Sequence, residues 1–220
     1  MPPTALLAPG GGKLEWRGND LDGNFRAVGS RGGSGLDVKG TAVGTLPVFV
    51  EERFGREGLE LWLNTLNEYA RKAFSKPILQ ASWFPIQSMF VEPTGALCDL
   101  FYNGKIRGAY EIGRFSAEVG LRGVYKVFLK IGSTRTIIEK ATLILPTYYR
   151  PSSIEVVEMQ DRRAVISITE FPEPNELVEE RIRGWMERAL EISGARSPII
   201  KIEQSMARGA PTSDFVITWN

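Results

Sequence analysis

Residues 106–131, IRGAYEIGRFSAEVGLRGVYKVFLKI, place apolar side chains at Ile106, Ala109/Tyr110, Ala117, Leu121, Val124, Val127/Phe128 and Ile131. That three-to-four spacing belongs to a helix with one buried face. Four glycines, Gly108, Gly113, Gly120 and Gly123, interrupt the same stretch, and each costs a helix about 1 kcal/mol relative to alanine. A helix so weakened persists only where its neighbours offset the loss, and glycine lets another backbone or a ligand come close. The stretch is therefore expected to be the most tightly packed element, with a break near residues 120–123.

The rest of the chain supplies the partners. With 220 residues there is enough for one domain with its own core but not for two. Lys and Arg number 27 against 26 Asp and Glu, so no unbalanced charge points to nucleic acid or an anionic membrane. The single cysteine, Cys98, excludes an intramolecular disulfide and any multi-cysteine metal site. No apolar run is long enough to span a membrane, and the opening MPPTALLAPGGGK lacks the basic start and apolar core of a signal peptide. These features predict a soluble cytoplasmic protein. Histidine is absent altogether, which removes histidine-dependent triads, two-histidine zinc sites and a proximal histidine to haem iron. Chemistry would have to run on carboxylates, Lys, Tyr, Ser/Thr or Cys98, so no catalytic residue, metal or cofactor is expected.

In chain order, residues 1–36 are glycine-rich and poor in apolar side chains, the composition of a flexible arm or of a segment that docks on a partner. Neither Gly12-Lys13 nor residues 29–35 meets a phosphate-loop or dinucleotide fingerprint. Residues 37–220 read as a single α+β domain. Leu46 to Phe54 forms a helix with Pro47 in its first turn and Gly55 at its end. A second helix is expected from Arg56 through Phe74, then two helical pieces between Ile86 and Tyr102 divided by Pro93-Thr-Gly95, and a turn at Asn103-Gly104. Ser133 is placed to cap a helix that Pro146 bends or closes. The period then changes to two. Ser153 to Met159 and Arg163 to Thr169 make a hairpin, Asn175 caps a helix from Glu176 to Ser193, and Pro198 to Gln204 pairs with Phe215 to Trp219. The expected architecture is helices packed on one face of a four-stranded antiparallel sheet.

Tyr110-Glu-Ile-Gly113, the ending Val124-Tyr-Lys-Val-Phe-Leu-Lys-Ile131 and the hairpin, helix and strand pair that follow resemble the core subunits of the vesicle-tethering TRAPP complex and the related vinyl-four-reductase domain. Met206-Ala-Arg-Gly209 followed by Asp214-Phe-Val-Ile-Thr-Trp219 is similar to the close of the latter. Val38-Lys-Gly40, Phe49-Val-Glu-Glu-Arg-Phe-Gly55 and Ser82-Trp-Phe-Pro85 resemble a myxobacterial paralogous family of unknown function and, more loosely, the haem nitric-oxide-binding domain. The resemblance spans about residues 37–220. It implies a TRAPP-subunit-like α+β fold that dimerises through its helices and can hold an apolar ligand. Two departures limit it: residues 114–123 lack the acylated cysteine of the tethering subunits, and the cysteines of the vinyl-reductase ending are missing.

Candidate sites follow. Tyr110, Gly113, Ala117 and Gly120 on the central helix, with Tyr148 and Tyr149 at the helix-to-sheet junction, are the expected ligand-binding residues. Cys98, in Leu97-Cys-Asp-Leu100, reads as a small buried apolar residue. Arg122, Lys126 and Lys130 form a basic stripe expected to face solvent, and Glu111/Arg114 and Glu118/Arg122 are expected to pair along the helix. Glu51-Glu52 and the Glu170/Glu173 pair suggest no acid–base site, because neighbouring carboxylates on a helix point apart. The reading these residues favour is a non-catalytic sensor or adaptor that binds a small apolar ligand or a protein partner, as a homodimer. The alternatives are an enzyme using carboxylate, Lys or Tyr chemistry and a purely structural scaffold subunit.

Overall fold

Alternating apolar residues build the C-terminal sheet. In the computed structural model, which describes residues 35–121 and 134–220, β4 (Ser153–Met159), β5 (Arg163–Glu170), β6 (Ile199–Gln204) and β7 (Ser213–Thr218) form an antiparallel sheet in the order β4-β5-β7-β6. Ile166 stands opposite Val156 on one side and Phe215 on the other, and Ala164 opposite Ile217. This period-two face is buried. It joins Val178, Ile182, Met186 and Leu190 of helix α7 (Glu176–Ile192) in the main core. Asn175 caps α7 by accepting from the Leu177 N–H at 2.9 Å.

Three very short strands form a second antiparallel sheet that the sequence reading does not anticipate: β1 (Asp37–Lys39), β2 (Trp83–Pro85) and β3 (Tyr149–Arg150), in the order β2-β1-β3. Two or three residues are too few to display an alternation. The sheet ties the start of the domain to the junction after α6 (Thr134–Tyr148). Gly35 and Leu36, counted with the arm on composition, adjoin it: Leu36 is buried, and its N–H donates to Glu173 Oε1 at 2.8 Å.

In the chain, β1 is followed by α1 (Gly40–Val43), α2 (Thr45–Thr65), α3 (Glu68–Phe74), α4 (Glu92–Tyr102) and α5 (Arg107–Leu121), all before α6. Gly55, at φ 71°, breaks α2 where the sequence places a helix end. The expected run through Phe74 is divided again at Leu66, because the Asn67 side chain accepts from the Ala70 N–H and starts α3. A π-helical turn (Gln87–Val91) precedes α4, whose first turn holds Pro93, and Asn103 and Gly104 both adopt positive φ in the turn to α5. Trp62, fully buried, donates from Nε1 to the Pro93 carbonyl at 2.9 Å and fastens α2 to α4. Pro146 lies in the last turn of α6, which ends two residues later. The arm, the Ser133 cap, the second half of the central helix and the stripe Arg122, Lys126 and Lys130 lie outside the described residues. Among the described residues no helix is long and apolar enough to cross a membrane.

α5 and α7 meet at their backbones. A methyl group on Gly113 would sit 2.1 Å from the Arg181 carbonyl oxygen, and one on Gly184 would sit 2.2 Å from the Tyr110 carbonyl oxygen. The two glycines interlock, so each helix fills the space that the other leaves by lacking a side chain. Polar contacts surround this seam. Arg114 lies 3.0 Å from Glu187 and 2.8 Å from Glu191, and Tyr110 Oη donates to Glu187. Arg188 reaches Glu118 at 2.9 Å and Glu191 at 2.7 Å. The expected pairing of Glu111 with Arg114 is corrected: Glu111 pairs with Arg107, and Arg114 takes the two carboxylates of the facing helix, where it is half-buried and bidentate.

Two outcomes follow from the seam. Gly113→Ala and Gly184→Ala are each expected to destabilise the fold by about 1–3 kcal/mol through forced separation of the helices. Gly95→Ala in α4, whose new methyl would lie 3.6 Å from Leu177 Cδ1, is expected to be neutral or to add up to about 1 kcal/mol. Urea unfolding of the three variants checks the contrast. Burial pushes the Glu191 carboxyl up, but the hydrogen bonds from Arg114 and Arg188 outweigh it and hold the group below its ordinary value. Its contribution is thus present above the unfolded carboxylate value, about pH 4.3, and is lost as the pH falls further. Melting temperatures from pH 6 to 3 are expected to fall less steeply in Glu191→Gln than in the parent chain.

Candidate functional site

The seam holds α5 and α7 together at one level, and beside it the helices border a cavity of about 650 Å³. Its walls come from the turn between β1 and α2, Ile78 and Gln80, Phe90, one side of α5 (Gly113, Ser116, Val119, Gly120), α6 (Ala141, Ile144, Leu145, Thr147, Tyr148), Tyr149, Ile154 and the adjoining face of α7 (Arg181, Ile182, Trp185, Met186). The size and the mainly apolar lining with a few polar groups are those of a small-molecule site.

Of the residues expected from the sequence, Gly113, Gly120, Tyr148 and Tyr149 line this cavity together. Tyr110 and Ala117 lie apart from it. Tyr110 is turned to α7, with its hydroxyl on Glu187 and its ring 4.3 Å from the Arg183 guanidinium, and Ala117 is buried with Leu121 and Ala189. Cys98 is buried, and burial pushes its thiol up, so it stays protonated. Arg150 stacks over Trp83 at 4.1 Å and pairs with Asp37, outside the cavity lining. Glu51 and Glu52 are exposed, while Glu170 and Glu173 accept from Ser153 and Leu36.

The polar part of the wall centres on Arg181, 3% exposed. Its guanidinium lies 3.7 Å from the Phe90 ring centroid and donates to the Ala42 carbonyl at 3.3 Å and to Thr94 Oγ1 at 3.2 Å. Ala42 and Phe90 also line the cavity. Thr45 donates to the same Ala42 carbonyl at 2.8 Å and lies 2.8 Å from Ser116 Oγ. Burial lowers Arg181 to about 10, opposed by Tyr149 and Cys98, so it remains a cation at neutral pH. Tyr149 is pushed up to about 12 by burial, with Arg181 acting against the shift, which keeps its phenol protonated. Rings surround it: Phe90 at 5.8 Å and Phe171 at 5.5 Å.

Sequence reasoning passed over Arg181, Lys39, Ser116, Trp185 and Met186 as site residues. A signal was present. Arg181 falls three residues after Val178 and four before Trp185, on the apolar stripe of α7, and a charge on a buried face calls for a partner.

No protein-family model matches the sequence, and no curated protein matches it. Among solved structures the chain is similar to the Fe(II) unliganded H-NOX protein from K. algicida, at 11% identity over 83% of this chain and 96% of that one, with a TM-score of 0.62. It is similar also to an H-NOX protein from S. oneidensis in the Fe(II)NO state, at 12% identity over 83% and 99% of the two chains and a TM-score of 0.66. The IWP-051-bound H-NOX from Shewanella woodyi matches at 13% identity, 81% and 93% coverage and a TM-score of 0.61. At such identities the likeness concerns the fold, and it favours the haem nitric-oxide-binding domain among the resemblances read from sequence. The likeness to tethering subunits rests on the short motifs alone. The chain has the mixed α+β fold seen in H-NOX domains.

Proposed function

We propose that this chain is a non-catalytic sensor or adaptor domain that binds a small, mainly apolar ligand in the cavity beside α5 and α7 and passes its presence to a second copy or a protein partner. The observation that carries the reading is the cavity itself, placed where the two most tightly joined helices border α6 and Tyr149. Tyr148 and Trp185, ring centroids 6.2 Å apart, flank it with aromatic surface. The protein acts in the cytoplasm, a reducing compartment that suits its one buried thiol. A carboxylate-based enzyme finds little support, since among the described residues no Asp or Glu lines the cavity and general acid–base work needs such a group in reach of substrate.

The neighbours with this fold include iron-bound H-NOX proteins, so the fit of haem is a direct test. Among the described residues the donor set does not fit a histidine-held haem. The chain has no histidine, and Cys98 is not part of the lining. Tyr149 is held protonated, whereas an iron-bound tyrosine is a phenolate. Lys39 lies with its Nζ 5.0 Å from the Trp83 ring. Of the other lining residues, Tyr148 packs beside Trp185 with ring centroids 6.2 Å apart, and Met186 offers a thioether, which serves haem iron as partner to a histidine. Among the described residues no cluster of three or more acidic or cysteine side chains is arranged to hold a metal. The ligand proposed here is therefore organic and free of iron.

The full chain purified under native conditions is expected to carry no Soret absorption, to show a bound molecule of a few hundred daltons or to accept one, and to run as a dimer in light scattering. A protein that is monomeric, ligand-free and unaffected in melting temperature by any amphiphile offered would overturn the proposal. Isolation with stoichiometric haem would overturn the iron-free assignment.

A further inference from the structure

Arg181 lacks what the other buried charges of the described residues possess. Glu179, 5% exposed, accepts from the hydroxyls of Ser205 and Ser213, each at 2.6 Å, and from the Ala207 N–H at 3.3 Å. Arg114 has two carboxylates. Arg181, more deeply buried than Arg114, has a carbonyl, a hydroxyl and the face of Phe90, and no carboxylate among the described residues within ion-pair reach. Two of its five N–H donors are used. A cation removed from water is costly unless it is paired, and the ring face and two neutral acceptors compensate only in part. Among the described residues the same cavity wall carries a second cation, Lys39, and no acid. Its α6 and α7 side is mainly apolar, with Ile144 and Leu145 on α6 and Ile182 and Met186 on α7, and Thr147, Tyr148 and the Trp185 indole add polar groups there.

Resting on the ligand-binding reading above, we propose that the cavity takes an amphiphile with a single negative head, a long-chain carboxylate, whose head lies against the Arg181 guanidinium and whose chain runs along the α6 and α7 wall. The planar fork of an arginine matches the two oxygens of a carboxylate, and the low dielectric of the site strengthens the pair. A doubly charged head would need Lys39 as well as Arg181, and Lys39 Nζ already lies over the Trp83 ring at 5.0 Å. An uncharged chain would fill the cavity and leave the cation as it is.

The test is calorimetric titration of the delipidated full chain with oleate, oleyl alcohol and inorganic phosphate, repeated for Arg181→Met and Arg181→Lys. In the parent chain oleate is expected to bind about tenfold or more tightly than the alcohol, the range of a charge-assisted hydrogen bond, and phosphate not at all at matched concentration. In Arg181→Met the ratio is expected to fall to about one while the alcohol still binds, and Arg181→Lys is expected to keep part of the preference. Should Arg181→Met fail to fold, the parent chain and Arg181→Lys decide. Equal affinity for acid and alcohol in the parent chain, an undiminished preference in Arg181→Met, or tight binding of phosphate alone would overturn the head-group assignment while leaving a ligand cavity in place. Binding of neither amphiphile would overturn the ligand-binding reading with it.

Discussion

Two carbonyl oxygens set the distance between α5 and α7. The Arg181 carbonyl occupies the place where a side chain at position 113 would begin, and the Tyr110 carbonyl does the same for position 184. Such contact brings many atom pairs to van der Waals distance at once, which is how two helices recover the roughly 1 kcal/mol each glycine costs in helix propensity. The reciprocity matters. With a side chain at either position, the helices would stand further apart and both the ion pairs beyond the seam and the wall beside it would change.

The consequences run in two directions. On one side the close approach brings Arg114 to Glu187 and Glu191 and Arg188 to Glu118, a network half out of water in which each guanidinium serves two carboxylates. Exposed pairs are worth little singly, but a shared and partly buried arrangement is better ordered and less screened. On the other side the same residue that supplies the carbonyl at the seam, Arg181, turns its guanidinium to Phe90 and Ala42 at the cavity wall. One residue therefore contributes backbone to the tightest packing and side chain to the candidate site.

How far the sequence discloses this differs by element. The interrupted apolar pattern of the central helix, the Asn175 cap and the two strand pairs of the larger sheet can be read directly, because each is a local pattern repeated over many residues. Gly113 could be singled out as a point of close approach, but its counterpart Gly184 could not, since nothing local marks which of 23 glycines a distant helix will meet. The small sheet is hidden by its brevity. Tyr148 and Tyr149 were legible as aromatics at a junction, whereas Tyr110, chosen by its motif, faces the helix seam. Arg181 was hidden by its type: arginine on α7 reads as surface, although its spacing from Val178 and Trp185 places it on the stripe that the fold buries.

A shared fold fixes where a pocket lies more firmly than what the pocket holds. A haem pocket depends on a donor to iron, because that bond both anchors and tunes the group. This chain has no histidine to draw on, and the described cavity wall holds a desolvated cation, Arg181. A charge in a pocket selects by a different rule from a metal bond. Iron coordination discriminates by donor softness and geometry, whereas a guanidinium in an apolar wall discriminates by the sign of the head group and the length of hydrocarbon behind it. The glycine seam fixes how closely α5 and α7 stand where both border the cavity. Because the Arg181 carbonyl is fixed against Gly113, the backbone that carries the buried guanidinium is fixed with it.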